Sequence, residues 1–176
     1  MSQVSYKEGL VERARRVVVK VGSAVLSDAD GLCPEVIARL AAEIDALVRE
    51  GREVVVVTSG AIVAGRARLT KLGGAGMAAR QAAAATGQIE LMAEWARAFG
   101  AVGRTVAQLL LTHQDLAERA RRNNAIHTIQ TLLEAGVIPI VNENDTVAVE
   151  EIRMGDNDVL SSLVAGMAQA QLLVIL

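Results

Sequence analysis

EVVVVTSGA, Glu53–Ala61, sets four consecutive valines directly before Thr58, Ser59 and Gly60. β-branched side chains favour extended backbone. A run with no polar alternation belongs to a strand buried on both faces, which is the habit of a parallel sheet covered by helices. Gly60 then opens a helix predicted to reach about Leu69.

The same grammar repeats outward from this stretch. Upstream, RRVVVKVGSAVL is a β-branched run that reads as a buried strand ending near Lys20 and Gly22. CPEVIARLAAEIDALVREG is a helix, with Pro34 and Glu35 in its first turn, Gly51 as its stop, and Val36, Leu40, Ile44 and Leu47 on one face. Downstream, KLGGAGM reads as a flexible glycine-rich loop before an Ala-rich helical region from Met77 to Phe99, with a break predicted near Gly87. RTVAQLLL is the third strand, and LAERARRNNAIHTIQTLLEAG a helix with Ile126, Ile129, Leu132 and Leu133 facing inward. VIPIVN is the fourth strand, Asp156–Ala170 a helix, and the terminal LLVIL a fifth strand. Strands alternating with helices predict an α/β fold: a three-layer αβα sandwich with a mostly parallel sheet, cut off after a core strand. Residues 1–15 are expected to be an N-terminal tail and 16–176 one domain. The loop that should follow Leu176 is not in the sequence, so the chain reads as a fragment of a larger enzyme.

Composition narrows the function. Of 176 residues, 52% are hydrophobic but only 2% aromatic, so Ala, Val and Leu carry the core. A formal charge of −2 lacks the excess of basic residues expected of a general nucleic-acid binder. The single cysteine, Cys33, forbids an internal disulfide and fits a reducing compartment. The opening MSQVSYKEGLVERARR is too polar for a signal peptide, and no run approaches the ~20 apolar residues of a membrane helix. A soluble, cytoplasmic protein is expected.

Polar residues gather at the same end of successive strands: Lys20 and Gly22 after the first, Thr58 to Gly60 after the second, Asn142 to Asp145 after the fourth. In a parallel sheet these ends share one rim, where ligands bind. Lys20 is a compact cation suited to phosphate oxygens, and Gly22 lets backbone approach a ligand. A solvated lysine and a plain turn glycine explain the same residues. Ser59 sits where free N–H groups at a helix start favour an anion, and it serves equally as a simple cap. VIPIVNENDTVAVEEIRMGDND, 137–158, holds six acids between Asn142 and Asp158. Asp145 is suited to a substrate ammonium, and Asn157 to an amide or carboxylate. Asp156 also fits a helix cap. Carboxylates suit Mg²⁺ or Ca²⁺, but the calcium-loop pattern is absent, as are the Walker loop and the six-residue dinucleotide fingerprint. His113 at a strand end and His127 within an apolar-periodic helix read as surface or core, Cys33 has no histidine nearby in sequence, and Trp95 with Phe99, four apart on a helix, reads as core.

VVVKVGSAVL (17–26), VVVVTSGAIVAGR (54–66), QLLLT (108–112) and IPIVNENDTVAVEEIRMGDNDVLSSLVA (138–165) together resemble the glutamate 5-kinases of the amino acid kinase family, in order over almost the whole chain. T-S-G-A is shared loosely across that family, while N-E-N-D followed by G-D-N-D is more specific. The resemblance implies phosphorylation of the L-glutamate side-chain carboxylate by ATP with Mg²⁺, the first step of proline synthesis. It implies that Lys20 binds phosphate oxygens and that Ser59, Asp145 and Asn157 bind glutamate. It also implies L-proline as feedback inhibitor through Thr112–Asn124, and a homo-oligomer. The family's nucleotide-binding half, which follows the strand matching LLVIL, is not in this sequence. A non-catalytic glutamate- or proline-binding module is therefore the competing reading.

Overall fold

The computed structural model describes residue 9 and residues 11–69, 76–148 and 156–176. Five strands form one parallel sheet: β1 (Arg16–Lys20), β4 (Glu53–Val57), β5 (Val106–Leu111), β6 (Ile138–Glu143) and β7 (Leu172–Ile175), in the order β5-β6-β4-β1-β7. A small antiparallel ribbon, β2 (Ser27–Asp28) and β3 (Gly31–Leu32), stands apart from it. The helices are α1 (Ser23–Leu26), α2 (Pro34–Arg49), α3 (Ala61–Arg68), α4 (Met77–Ala101), α5 (His113–Ala117), α6 (Arg119–Glu134) and α7 (Asp156–Met167). The predicted α/β sandwich is the fold observed.

The valine runs divide by parity. Val17, Val19, Val54 and Val56 pack on one face against Ile37 and Ile44 of α2 and Leu91 and Trp95 of α4. Val18, Val55 and Val57 pack on the other against Ile129 and Leu133 of α6 and Leu160 and Val164 of α7. Each such side chain removed from water contributes about 1.5–3 kcal/mol. The central strands must therefore be apolar on both faces, which is why EVVVV shows no alternation. Pro139 is tolerated inside the sheet by register. Ile138 N–H donates toward Thr105 on the β5 side, so position 139 faces β4, and that pairing starts only at Val56 with Ile140.

Trp95 and Phe99 are fully buried and stacked, with ring centroids 5.7 Å apart, as expected of core residues. Residues 11–13 are helical, and Ala14 joins the core.

Four readings need correction. α4 runs unbroken through Gly87. A Cβ there would lie 1.9 Å from the Ala61 carbonyl oxygen, and one on Gly65 would lie 1.8 Å from that of Ala83. These glycines let α3 and α4 cross backbone to backbone. The segment expected as one helix from Leu116 is two, because Thr112 caps a turn that starts at His113 and Glu118 is extended. The last helix ends at Met167 rather than Ala170, with Gln169 at φ 53°. The β2–β3 ribbon was not foreseen. The expected flexible loop, except for Gly76 and Met77, lies outside the described residues, as do Glu150 and Glu151 of the acidic stretch.

Candidate active site

The carboxyl ends of β1, β4 and β6 lie side by side in the sheet, so three polar strand ends meet. They open on a cavity of about 470 Å³ whose lining includes Lys20, Gly22, Ser59, Asp145, Asn157 and Arg80. That volume suits a small ligand. The five residues singled out in the sequence thus surround one space. His113 begins α5 and His127 is exposed on α6, and neither lines it, nor does Cys33.

Each strand end is built for close approach. Beyond β1, Gly22 N–H donates to the Leu176 carbonyl at 3.1 Å, and a Cβ on Gly22 would stand 3.3 Å from both that oxygen and Lys20 Nζ. Beyond β4, Gly60 turns the chain into α3 at φ 105°, a left-handed conformation that disfavours any side chain. Thr58 is buried, and its Oγ1 accepts the Trp95 indole N–H at 3.0 Å. The core aromatic on α4 therefore anchors the turn that presents Ser59.

A chain of amides crosses the floor. Gln88 Oε1 on α4 accepts from Asn142 Nδ2 at 2.7 Å. Asn142 Oδ1 accepts the Glu143 N–H at 2.9 Å and lies 3.4 Å from Asn157 Nδ2. Asn157 Nδ2 donates to Ser59 Oγ at 2.7 Å. Two consequences follow. Ser59 Oγ is already an acceptor, which leaves its own proton for an outside acceptor such as a carboxylate. Asn157 Oδ1 is buried and accepts nothing from the described residues, an arrangement that favours an incoming N–H donor.

Lys20 Nζ is 2.6 Å from Asp158 Oδ1 and its side chain is 13% exposed, against 49% for Asp158. The pair holds the ammonium at the mouth. Lys20 and Arg80 are the cations of the lining, and Glu143 and Asp145 its acids. The Arg80 and Gln88 roles were missed in the sequence. Arg80 carried one faint signal: a cation near a helix N-terminus opposes the macrodipole. Gln88 gave none, since its partner is 54 positions away.

A cavity at the carboxyl rim of an αβα sheet, with a lysine after the first strand and T-S-G-A after the second, defines the class, and the amino acid kinase family model matches residues 15–176. The chain belongs to the amino acid kinase family. It is 50% identical over 171 residues to a glutamate 5-kinase of Syntrophotalea carbinolica, covering 97% of this chain and 46% of that protein. A glutamate 5-kinase of Thermus thermophilus is 54% identical over 164 residues, 93% of this chain and 44% of the relative. One of Geobacter metallireducens is 51% identical over 172 residues, with 97% and 46% covered. The chain thus spans a little under half the length of the curated relatives it matches.

Proposed function

We propose that this chain carries the glutamate-binding part of an ATP-dependent glutamate 5-kinase domain, residues 16–176. The reaction joins a side-chain carboxylate oxygen of L-glutamate to the γ-phosphorus of ATP. The P–O bond to ADP breaks, leaving glutamyl 5-phosphate, the entry compound of proline synthesis. The carboxylate is already the nucleophile, so no general base is needed, and catalysis rests on positioning and charge neutralisation. What supports the reading is the orphaned Asn157 Oδ1 beside a Ser59 hydroxyl with a proton to give. Together they offer an acceptor and a donor to one zwitterion. Asn157 and Asp145 hold the ammonium, Ser59 a carboxylate, and Lys20 the phosphate oxygens as they approach over Gly22.

For ATP the donor set fits at Lys20. For Mg²⁺, no group of three Asp, Glu, His or Cys side chains converges among the described residues. A divalent ion here would be carried largely by nucleotide phosphates, as is usual for Mg²⁺, with its positive charge supplementing that of Lys20. L-Proline as feedback inhibitor at the Thr112–Asn124 segment, and assembly into a homo-oligomer, belong to the same proposal. So does a cytoplasmic location. Among the described residues no helix is long and apolar enough to cross a membrane.

Calorimetric titration with L-glutamate tests the site, and ATP-dependent hydroxamate formation tests the chemistry. Glutamate binding by this chain is the expected result, with turnover expected in a protein extended to the full length of its relatives. Glutamate binding without turnover in that extended protein favours the non-catalytic module, and no binding overturns the glutamate site.

A further inference from the structure

Helix α4 sends two glutamines toward the exit of β6. Gln88 Oε1 accepts from Asn142 Nδ2 at 2.7 Å. Gln81, about two turns earlier and so on the same side of the helix, donates Nε2 to the Ala148 carbonyl at 3.3 Å. The segment between those two contacts carries Asp145. The reach depends on Gly87, which lets α4 cross α3 with backbone against backbone. That crossing brings residue 88 within a glutamine's length of the cavity floor.

Only one end of Gln88 is used. Its Nε2 is buried and donates to nothing among the described residues, and an unpaired buried donor is destabilising. The side chain therefore serves as an acceptor. Backbone groups fix the sense of the amides beyond it. Glu143 N–H can only donate, so Asn142 turns Oδ1 to it at 2.9 Å and must offer Nδ2 to Gln88. The Thr58 carbonyl can only accept, so Asn157 turns Nδ2 to it at 3.3 Å and leaves Oδ1 as the buried open acceptor. Asn142 Oδ1 lies 3.4 Å from Asn157 Nδ2, which joins the two amides.

We propose, on the glutamate reading above, that Gln88 is a positioning residue for the substrate's amino group: through Asn142 and Asn157 it makes the site select an α-amino dicarboxylate over the same dicarboxylate without the amino group. With no acceptor at position 88, Asn142 Nδ2 is a donor without a partner. Asn142 is 2% exposed, so bulk water does not replace Gln88, and the amide swings until Nδ2 finds an oxygen. Asn142 Oδ1 then leaves Asn157, whose Oδ1 no longer meets the ammonium in line.

NMR titration of the isotope-labelled chain with L-glutamate and with glutarate, which lacks only the amino group, tests this. The parent is expected to prefer glutamate by roughly tenfold, as one hydrogen bond to a charged group implies. Gln88→Met, of similar length but without an oxygen, should shrink the preference to about twofold or less with glutarate affinity unchanged. Gln88→Glu keeps an acceptor, drops the unpaired N–H and should retain the preference. Should Gln88→Met fail to fold, Gln88→Ala makes the same comparison. The side-chain NH2 signals of Asn142 and Asn157 read the contact with no ligand present: both should move in Gln88→Met and stay near their parent positions in Gln88→Glu. A parent that binds both ligands equally, a preference that survives Gln88→Met, equal weakening of both ligands, or a preference lost in Gln88→Glu overturns the proposal. A parent that binds neither ligand overturns the glutamate site and the selectivity drawn from it, whereas NH2 signals indifferent to Gln88→Met overturn the role of Gln88 with the glutamate site intact.

Discussion

At the residue scale the site turns on which atoms are already engaged. Asn157 Nδ2 donates to Ser59 Oγ at 2.7 Å, so Ser59→Ala removes the proposed donor to the ligand and unfixes Asn157 together. A hydrogen bond to a charged group contributes about 1.5–3 kcal/mol, so we expect glutamate affinity to fall by roughly ten- to a hundredfold by calorimetry, and an unchanged affinity would remove Ser59 from the site. Lys20 separates binding from chemistry. Its ammonium faces Asp158 and the cavity, where phosphate rather than amino acid is expected. Lys20→Met should leave glutamate affinity within about twofold, while in a protein extended to the full length of the relatives hydroxamate formation falls by the ~10²–10³ typical of one lost transition-state contact. Loss of glutamate binding instead would reassign the lysine. Lys20, Gly22, Ser59, Asp145 and Asn157 were legible in the sequence because each follows a strand or opens a helix, and strand ends share a rim by construction. Gln88 and Arg80 were not, because a long Ala-rich helix looks the same wherever it lies against the sheet.

Elements show the opposite imbalance: where they lie was readable, how they touch was not. Four valines can hardly be misread. A glycine inside a helix is ambiguous, and Gly87 was assigned to a break although it marks the crossing of α3 and α4. Ala for Gly inside a helix normally stabilises by about 0.5–1 kcal/mol. At Gly100, whose Cβ would meet nothing within 4 Å, that gain should appear as a raised Tm. At Gly87 the new Cβ would fall 1.9 Å from Ala61 O and 2.3 Å from Gly65 N. The helices must then separate, and the loss should exceed about 3 kcal/mol, at the upper end of overpacking costs. Chemical denaturation of the two variants should give opposite signs.

The α5 cap adds a pH signature. Asp115 accepts from the Thr112 hydroxyl at 2.6 Å and backbone N–H at 2.8 Å, and faces Arg121 at 2.8 Å. The Thr112 hydroxyl first, then Arg121, holds its carboxyl below the ordinary value. A carboxyl lowered in the folded state contributes stability above its unfolded pKa near ~3.9, and that contribution is lost as pH falls through the folded value. Asp115→Asn should therefore destabilise by about 0.5–2 kcal/mol at neutral pH, as lost caps do. The gap should close as pH falls through the lowered folded-state value, where the parent carboxyl takes up its proton. A constant gap at every pH would assign the effect to packing.

For the whole molecule, the strand order is what makes a site of separate motifs. Parallel strands alone put polar ends on one rim, but only the order β5-β6-β4-β1-β7 makes β6, β4 and β1 neighbours. Asn142 and Lys20 thereby flank Ser59 from either side. Sequence could state the rim and not the order, because valine runs carry no label for their neighbours. A ligand held between three strand ends and the start of α7 ties together segments distant along the chain, and it should stabilise the fold globally. At a hundred times its dissociation constant, a ligand bound only by the folded state adds about 2.7 kcal/mol. For a chain of this size each kcal/mol raises Tm by about 2–4 °C, so saturating L-glutamate should lift it by roughly 5–10 °C. Asp145→Ala should abolish that rise whatever it does to the unliganded Tm. D-Glutamate, which cannot satisfy Ser59 and Asp145 at once, should give less of it. Equal shifts with both enantiomers would mean that the rim attracts charge without the proposed three-point grip.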